Sequence, residues 1–297
     1  MNLKVTIILI ITSCFILSCG KKANQPKQEK DLETIEPSLQ FIWETDSLLT
    51  TCEAVLYDDA SKIIYVANIN EEPWEKDNNG FISTINDKGE ILNLKWIEGL
   101  SGPKGMGISN GKLYVNDIDA IVEIDIQQQK ILNRYEVPNN PQLNDITVSP
   151  NGVVYSSGSN SNTIYKLDSG NVVVLAEGDL NRLNGLLWQK EGLYYLESGN
   201  QNFGIMNMND LTFKTLTTGI GHGDGVVRLQ NGDFIISSWK GAIFYINSKD
   251  WTKTLLLNTE AESIQTADID YIPSTQTLLI PTFFNNRVKA YKVNMSK

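Results

Sequence analysis

Histidine is nearly missing from this chain: His222 is the only one among 297 residues. That scarcity excludes a zinc site built on a histidine pair, and any histidine-activated nucleophile would depend on one position. Cysteine is almost as rare, with Cys14, Cys19 and Cys52, and Cys52 has no histidine at a fixed spacing that would make it a nucleophile. A Gly-x-Ser-x-Gly elbow, a Walker loop and a dinucleotide fingerprint are all lacking. Basic clusters are missing as well. With a formal net charge of −10 and no run of Lys and Arg to neutralise a phosphate backbone, nucleic acid is excluded as a partner. From residue 41 onward no amphipathic helical period emerges, which removes the α and α/β classes.

The first residues read as an address. Lys4 supplies a positive start, Val5 to Leu17 an apolar stretch too short to span a bilayer comfortably, and Ile16-Leu17-Ser18-Cys19 closes it with a small residue before cysteine. This resembles a bacterial lipobox. It implies a signal peptide over residues 1–18, an acylated Cys19, and a mature protein hung from a membrane of the cell envelope without crossing it. An ordinary signal peptide or an anchor helix is the alternative. Cleavage would discard Cys14 and acylation would occupy Cys19, so only Cys52 remains and no intramolecular disulfide forms. Residues 19–38 are polar and read as a flexible tether, leaving 39–297 as one domain, expected to be a monomer.

That domain is written in short runs of Ile, Val, Leu and Tyr, alternating with polar residues and separated by Gly, Asn and Asp, the pattern of an all-β fold. The runs repeat. Glu53, Lys104, Asn144, Asn184, Asp224 and Asp268 each open an apolar segment, at spacings of 51, 40, 40, 40 and 44. Each segment is followed by a turn and a second strand, with Asn110-Gly111, Asn151-Gly152 and Asn231-Gly232 supplying turn residues. A period near forty residues is the signature of propeller blades, and six copies predict a six-bladed β-propeller. The spacing of 51 is explained by an insertion of about ten residues, Asn70 to Gly80, whose Trp74 is expected either to tuck against the rim or to act in a lid. The last repeat shows three strands before the chain ends. The segment from about residue 40 to 44, Gln-Phe-Ile-Trp-Glu, is therefore expected to pair as the outer strand of the last blade and close the ring.

In such a ring the lead positions converge on a central channel. None of the six is apolar, although their neighbours mostly are. Asn or Asp before Gly is also ordinary turn chemistry, but recurrence in phase predicts a polar site at the channel mouth, where buried oxygens need water, a ligand or a metal. Carboxylates and amides together suit Ca²⁺, Mg²⁺ or Mn²⁺, with Zn²⁺ also accommodated.

At these positions the chain resembles the senescence-marker-protein, gluconolactonase and luciferin-regenerating-enzyme family of six-bladed propellers. Cys52-Glu53-Ala54-Val55, Leu143-Asn144-Asp145, Leu183-Asn184-Gly185-Leu186-Leu187-Trp188 and Gly223-Asp224-Gly225 carry the likeness, which runs from about residue 50 to 290. The resemblance implies a divalent cation held by Glu53, Asn184 and Asp224, with Asn144 on the substrate side. It further implies hydrolysis of a lactone or similar cyclic ester, Asp224 serving as base with Asp145 as the second choice. Two departures stand out: the strand after Glu53 lacks the family's proline, and Gln142 occupies the place where an arginine often precedes the Asn-Asp pair. Lys104 adds a positive charge that either meets an anionic ligand or offsets the carboxylates. His222, two residues before Asp224, is a further substrate-side candidate. The alternative reading is a propeller that binds a sugar, a peptide or an envelope protein at the same mouth without chemistry. A lyase would need His222 as its base.

Overall fold

The computed structural model describes residues 36–295; the signal peptide, Cys19 and most of the proposed tether lie outside the described residues. Strand β1 (Ser38–Glu44) comes first. Blade 1 holds β2 (Cys52–Asp58), β3 (Ile63–Asn68), β4 (Gly80–Ile85) and β5 (Ile91–Leu100), and blade 2 holds β6 (Pro103–Ser109), β7 (Lys112–Asp117), β8 (Ala120–Asp125) and β9 (Lys130–Glu136). Blade 3 is β10 (Leu143–Val148), β11 (Val154–Gly158), β12 (Thr163–Asp168) and β13 (Asn171–Glu177); blade 4 is β14 (Leu183–Gln189), β15 (Gly192–Glu197), β16 (Asn202–Met206) and β17 (Phe213–Thr218). Blade 5 is β18 (Gly223–Arg228), β19 (Phe234–Ser238), β20 (Ala242–Ile246) and β21 (Lys253–Asn258), followed by β22 (Asp270–Ile272), β23 (Thr277–Pro281) and β24 (Val288–Asn294).

Every sheet is antiparallel with four strands, and the sixth runs β1-β24-β23-β22. The N-terminal strand thus completes the last blade as expected, pairing Leu39 with Val293 and Phe41 with Tyr291. A ring closed by strands from both chain ends leaves blade 6 no exposed hydrogen-bonding edge on β24.

Burial is distributed rather than central. Six main apolar clusters each lie between neighbouring blades: Tyr65 and Ile82 meet Met106 and Val115 between blades 1 and 2, and Leu279 and Val288 meet Ile64 and Val66 across the closure. The blades therefore hold one another by wedge-shaped packing, and the axis is left to polar groups.

The turns differ in part from the expectation. Asn110 (φ 49°) and Gly111 (φ 73°) are both left-handed, as a tight two-residue hairpin requires. In the other two Asn-Gly pairs only Gly152 and Gly232 are left-handed, because those turns are longer, closed by Gly152 N–H to Ser149 O and Gly232 N–H to Leu229 O.

Candidate functional site

The lead residues are aimed by a recurring irregularity in the innermost strands. Pairing jumps between Pro103 and Met106, between Leu143 and Ile146, between Leu183 and Leu186, between Gly223 and Val226, and between Cys52 and Ala54. Each jump is a bulge that releases Lys104, Asn144, Asn184, Asp224 or Glu53 from the ladder and turns it toward the channel. Hydroxyls on the second strands take up freed backbone donors: Asp145 N–H reaches Ser157 Oγ at 2.9 Å and Gly225 N–H reaches Ser237 Oγ at 2.8 Å.

Glu53, Lys104, Asn144, Asn184, Asp224 and His222 line one cavity of about 570 Å³. Loops add Trp74, Arg182, Ser198, Trp239, Phe283 and Phe284 to its wall. Arg182 was within reach of the sequence, since it precedes Asn184 by two residues as His222 precedes Asp224. The aromatic residues all belong to loops between second and third strands, in blades 1, 5 and 6, equivalent places in the repeat that could have announced them.

Two acids fall elsewhere. Asp145, the second-choice base, lies one residue past the lead position; its carboxylate accepts from Leu186 N–H at 2.5 Å and Ile146 N–H at 2.6 Å and borders the depression at the opposite mouth. Asp268 is not a sixth lead residue. A side chain added at Gly105 would meet Asp145 Oδ1, and one at Gly225 would meet Asp268 Oδ1, so Asp268 occupies the structural position of Asp145. The two carboxyls hydrogen-bond to each other; burial pushes both upward, the shared bond holding Asp145 down while the Asp145 charge and that bond push Asp268 further up. Blade 6 instead brings Ala267 to its lead position.

Around the mouth cavity the polar groups are under electrostatic tension. Burial pushes Glu53 up to about 8, against the pull of Lys104 and with the push of Asp224 and Asp145. Burial likewise raises Asp224 to about 7, opposed by Lys104 and by the bond from Asn184, whose Nδ2 donates to Asp224 Oδ1 at 3.0 Å. Lys104, 2% exposed, is lowered by its own burial and raised by Glu53 and Asp224. Asn144 Nδ2 donates to Ser159 Oγ at 3.1 Å.

Glu53 Oε2 and Asn184 Oδ1 are buried without a hydrogen-bond partner. Two orphaned oxygens beside Asp224 are a donor set that a hard divalent cation would satisfy. Among the described residues no three acidic, histidine or cysteine side chains converge on one point; any cation here would rest on two carboxylates and an amide. Cys52 is sealed away from this cavity, its thiol directed to Arg287 O at 3.1 Å and pushed up to about 12 by burial, which rules it out as a nucleophile.

These features define a six-bladed propeller with a polar, partly cationic cavity at one end of its channel. Its fold is shared with solved structures at low sequence identity. A catalytically inactive virginiamycin B lyase from Staphylococcus aureus with quinupristin superposes with a TM-score of 0.61 at 15% identity, over 86% of this chain and 99% of that one. A protein described as a gluconolactonase gives 0.63 at 12% identity, over 88% and 93%. Luciferin-regenerating enzyme gives 0.59 at 16% identity, over 87% and 95%. No protein-family model matches the chain, and no curated protein sequence matches it.

Proposed function

We propose that the protein is a hydrolase of a lactone or similar cyclic ester, using a divalent cation held by Glu53, Asn184 and Asp224. The observation that carries this reading is the pair of partnerless buried oxygens, Glu53 Oε2 and Asn184 Oδ1, in the wall of a cavity sized for a small molecule. A bound cation would supply polarisation of the ester carbonyl. The chain's own groups do the rest. Asp224, raised to about 7 by burial, is suited to take a proton from an attacking water near neutral pH. Asn184 pins one of its oxygens, which fixes the direction from which the other accepts. Lys104 places a buried positive charge where negative charge gathers on the ester oxygen, and Asn144, His222 and Arg182 orient the substrate. As the ring opens, the alcohol oxygen takes up a proton and the acyl carbon keeps the water oxygen, giving a hydroxy acid.

The lipobox-like segment extends the proposal to a monomer anchored through Cys19 in the bacterial cell envelope, on a periplasmic or outer surface; loss of the lipid mass from a Cys19→Ser chain would support it. The structural likeness to a gluconolactonase-type protein supports the hydrolase class at the level of fold only.

The deciding experiment compares divalent metal content in the purified chain and in Asp224→Ala, followed by lactone turnover with and without chelator. Metal bound to the first and lost from the second, with chelator-sensitive turnover, is expected. Equal metal in both would end the metal assignment. Absence of chelator-sensitive turnover on every lactone would favour the second reading, a binding propeller, which Lys104 supports because it balances carboxylate charge without an ion.

A further inference from the structure

The six blades contribute unequally to the mouth. Five bring Glu53, Lys104, Asn144, Asn184 and Asp224, whereas blade 6 brings Ala267, which packs with Ile69, Phe283 and Trp239 into a small apolar cluster. Phe284 carries that surface outward into the cavity: its ring centroid lies 4.7 Å from Phe283 and 6.5 Å from Trp239, yet it is 55% exposed. The rings stand at 81°, 79° and 85° to one another. They form a concave corner rather than a single flat platform.

The backbone is held to present this corner. Phe283 is left-handed at φ 47°, a conformation rarely adopted by a bulky residue. The turn that imposes it is fixed by Asn285 N–H to Thr282 O, Asn286 N–H to Phe283 O and Thr282 N–H to Arg287 O. The same cavity is lined by the cationic groups Lys104, beneath the Trp74 ring, and Arg182, while His222 lies beside the corner with its carbonyl accepting Trp239 N–H. The cavity therefore joins an aromatic corner to charged groups.

We propose, resting on the cyclic-ester reading above, that the ligand is a lactone bearing a flat apolar substituent, with that substituent in the Trp239, Phe283 and Phe284 corner and its carbonyl toward Lys104. A polyhydroxylated sugar lactone fits poorly, because hydroxyls pressed into a corner of three ring edges lose hydrogen bonds to water without replacement, whereas an aryl group gains buried apolar contact and edge-to-face packing. Phe284 then sets specificity without touching the reacting atoms.

The test uses γ-phenyl-γ-butyrolactone and glucono-δ-lactone as probes, with the wild-type chain and Phe284→Ala, whose side chain is 55% exposed and whose melting temperature serves as the control for folding. Expected is a preference of about tenfold or more in kcat/KM for the phenyl lactone, lost on Phe284→Ala because the phenyl lactone's kcat/KM falls far more than that of glucono-δ-lactone. Preference for the sugar lactone, or an equal effect of Phe284→Ala on both, would overturn the inference and leave the hydrolase reading standing. If neither lactone is turned over, saturable binding of the phenyl lactone's hydroxy acid, followed by tryptophan fluorescence and weakened in Phe284→Ala, would uphold the corner while removing the hydrolase. No turnover and no such binding would remove both.

Discussion

The ammonium of Lys104 lies 4.2 Å from the ring centroid of Trp74, so the insertion in blade 1 caps a buried charge of blade 2. The loop is tied outward by an ion pair from Lys76 to Asp119, which holds Trp74 over the cavity. Lys104 makes no ion pair with Glu53 or Asp224 at contact distance among the described residues, but it pulls on both through the low-dielectric interior.

Lys104 and a divalent cation compete for the same negative field. Lys104→Met keeps the length of the side chain and its packing on Trp74 while deleting the charge. Affinity for Mn²⁺, titrated calorimetrically, is expected to rise about tenfold or more in this variant. Unchanged or weaker binding would show that the ammonium does not repel an ion held at Glu53 and Asp224.

The closing strand is the part of the fold most exposed to truncation. β1 contributes Trp43, whose indole packs beside the closure cluster and donates Nε1–H to Asp87 O at 2.9 Å. Trp43→Ala is expected to cost about 3 kcal/mol and lower the melting temperature by roughly 6–12 °C. A chain beginning after Glu44 would leave β24 as a bare edge and is expected to self-associate on size-exclusion chromatography. A monodisperse truncated chain with unchanged melting would mean the ring does not depend on this closure.

Much of this architecture could be read from residue order because a blade is a local unit: two strands and a turn recur in contiguous stretches, so a period near forty carries the fold. The closing strand was legible by elimination, since the last repeat falls one strand short. The site was harder to read. Aligning Asp268 with Asp224 matched chemistry, but blade 6 begins one residue out of phase, and only the close approach of Gly225 to Asp268 reveals it. The same ambiguity hid the fate of Asp145, because a bulge decides which of two adjacent residues faces which mouth. Trp239 and the Phe283-Phe284 pair come from equivalent second-to-third-strand loops of neighbouring blades, so the repeat marks their positions, while the corner they make together is visible only in three dimensions.

Gly105 tests how tightly the bulges are packed against one another. A Cβ there would lie 2.5 Å from Asp145 Cα and 2.7 Å from Ile146 N, backbone atoms that do not move aside. Gly111, left-handed at φ 73° with nothing near its added Cβ, offers a comparison in which only backbone strain counts. Gly105→Ala is expected to destabilise by about 3 kcal/mol or more, against about 1 kcal/mol for Gly111→Ala. Chemical denaturation of both variants measures the difference. Equal losses would mean that blades 2 and 3 can separate at the axis at little cost.

Asp270 gives the pH dependence a single group on which its sign can be worked out. Its carboxylate accepts Tyr57 N–H at 2.6 Å and Tyr271 N–H at 2.7 Å, bonds that favour ionisation, yet burial prevails and raises it from 3.8 to about 6. The folded state thus keeps a proton that the unfolded chain releases near pH 4. Stability from this group is full below pH 4 and declines as pH rises toward 6, by about 3 kcal/mol in all. Glu53, raised to about 8, and Asp145 and Asp224, raised to about 7, act in the same direction and carry the decline further. Acids nearer the surface such as Asp125, held low by Lys112, oppose it in acid, so the informative quantity is the difference between wild type and Asp270→Asn. The melting temperature of the wild type is expected to fall relative to the variant between pH 4 and pH 6 and to run parallel above pH 6.5. A difference that stays flat across pH 4–6 would place Asp270 in contact with water and remove burial as the cause.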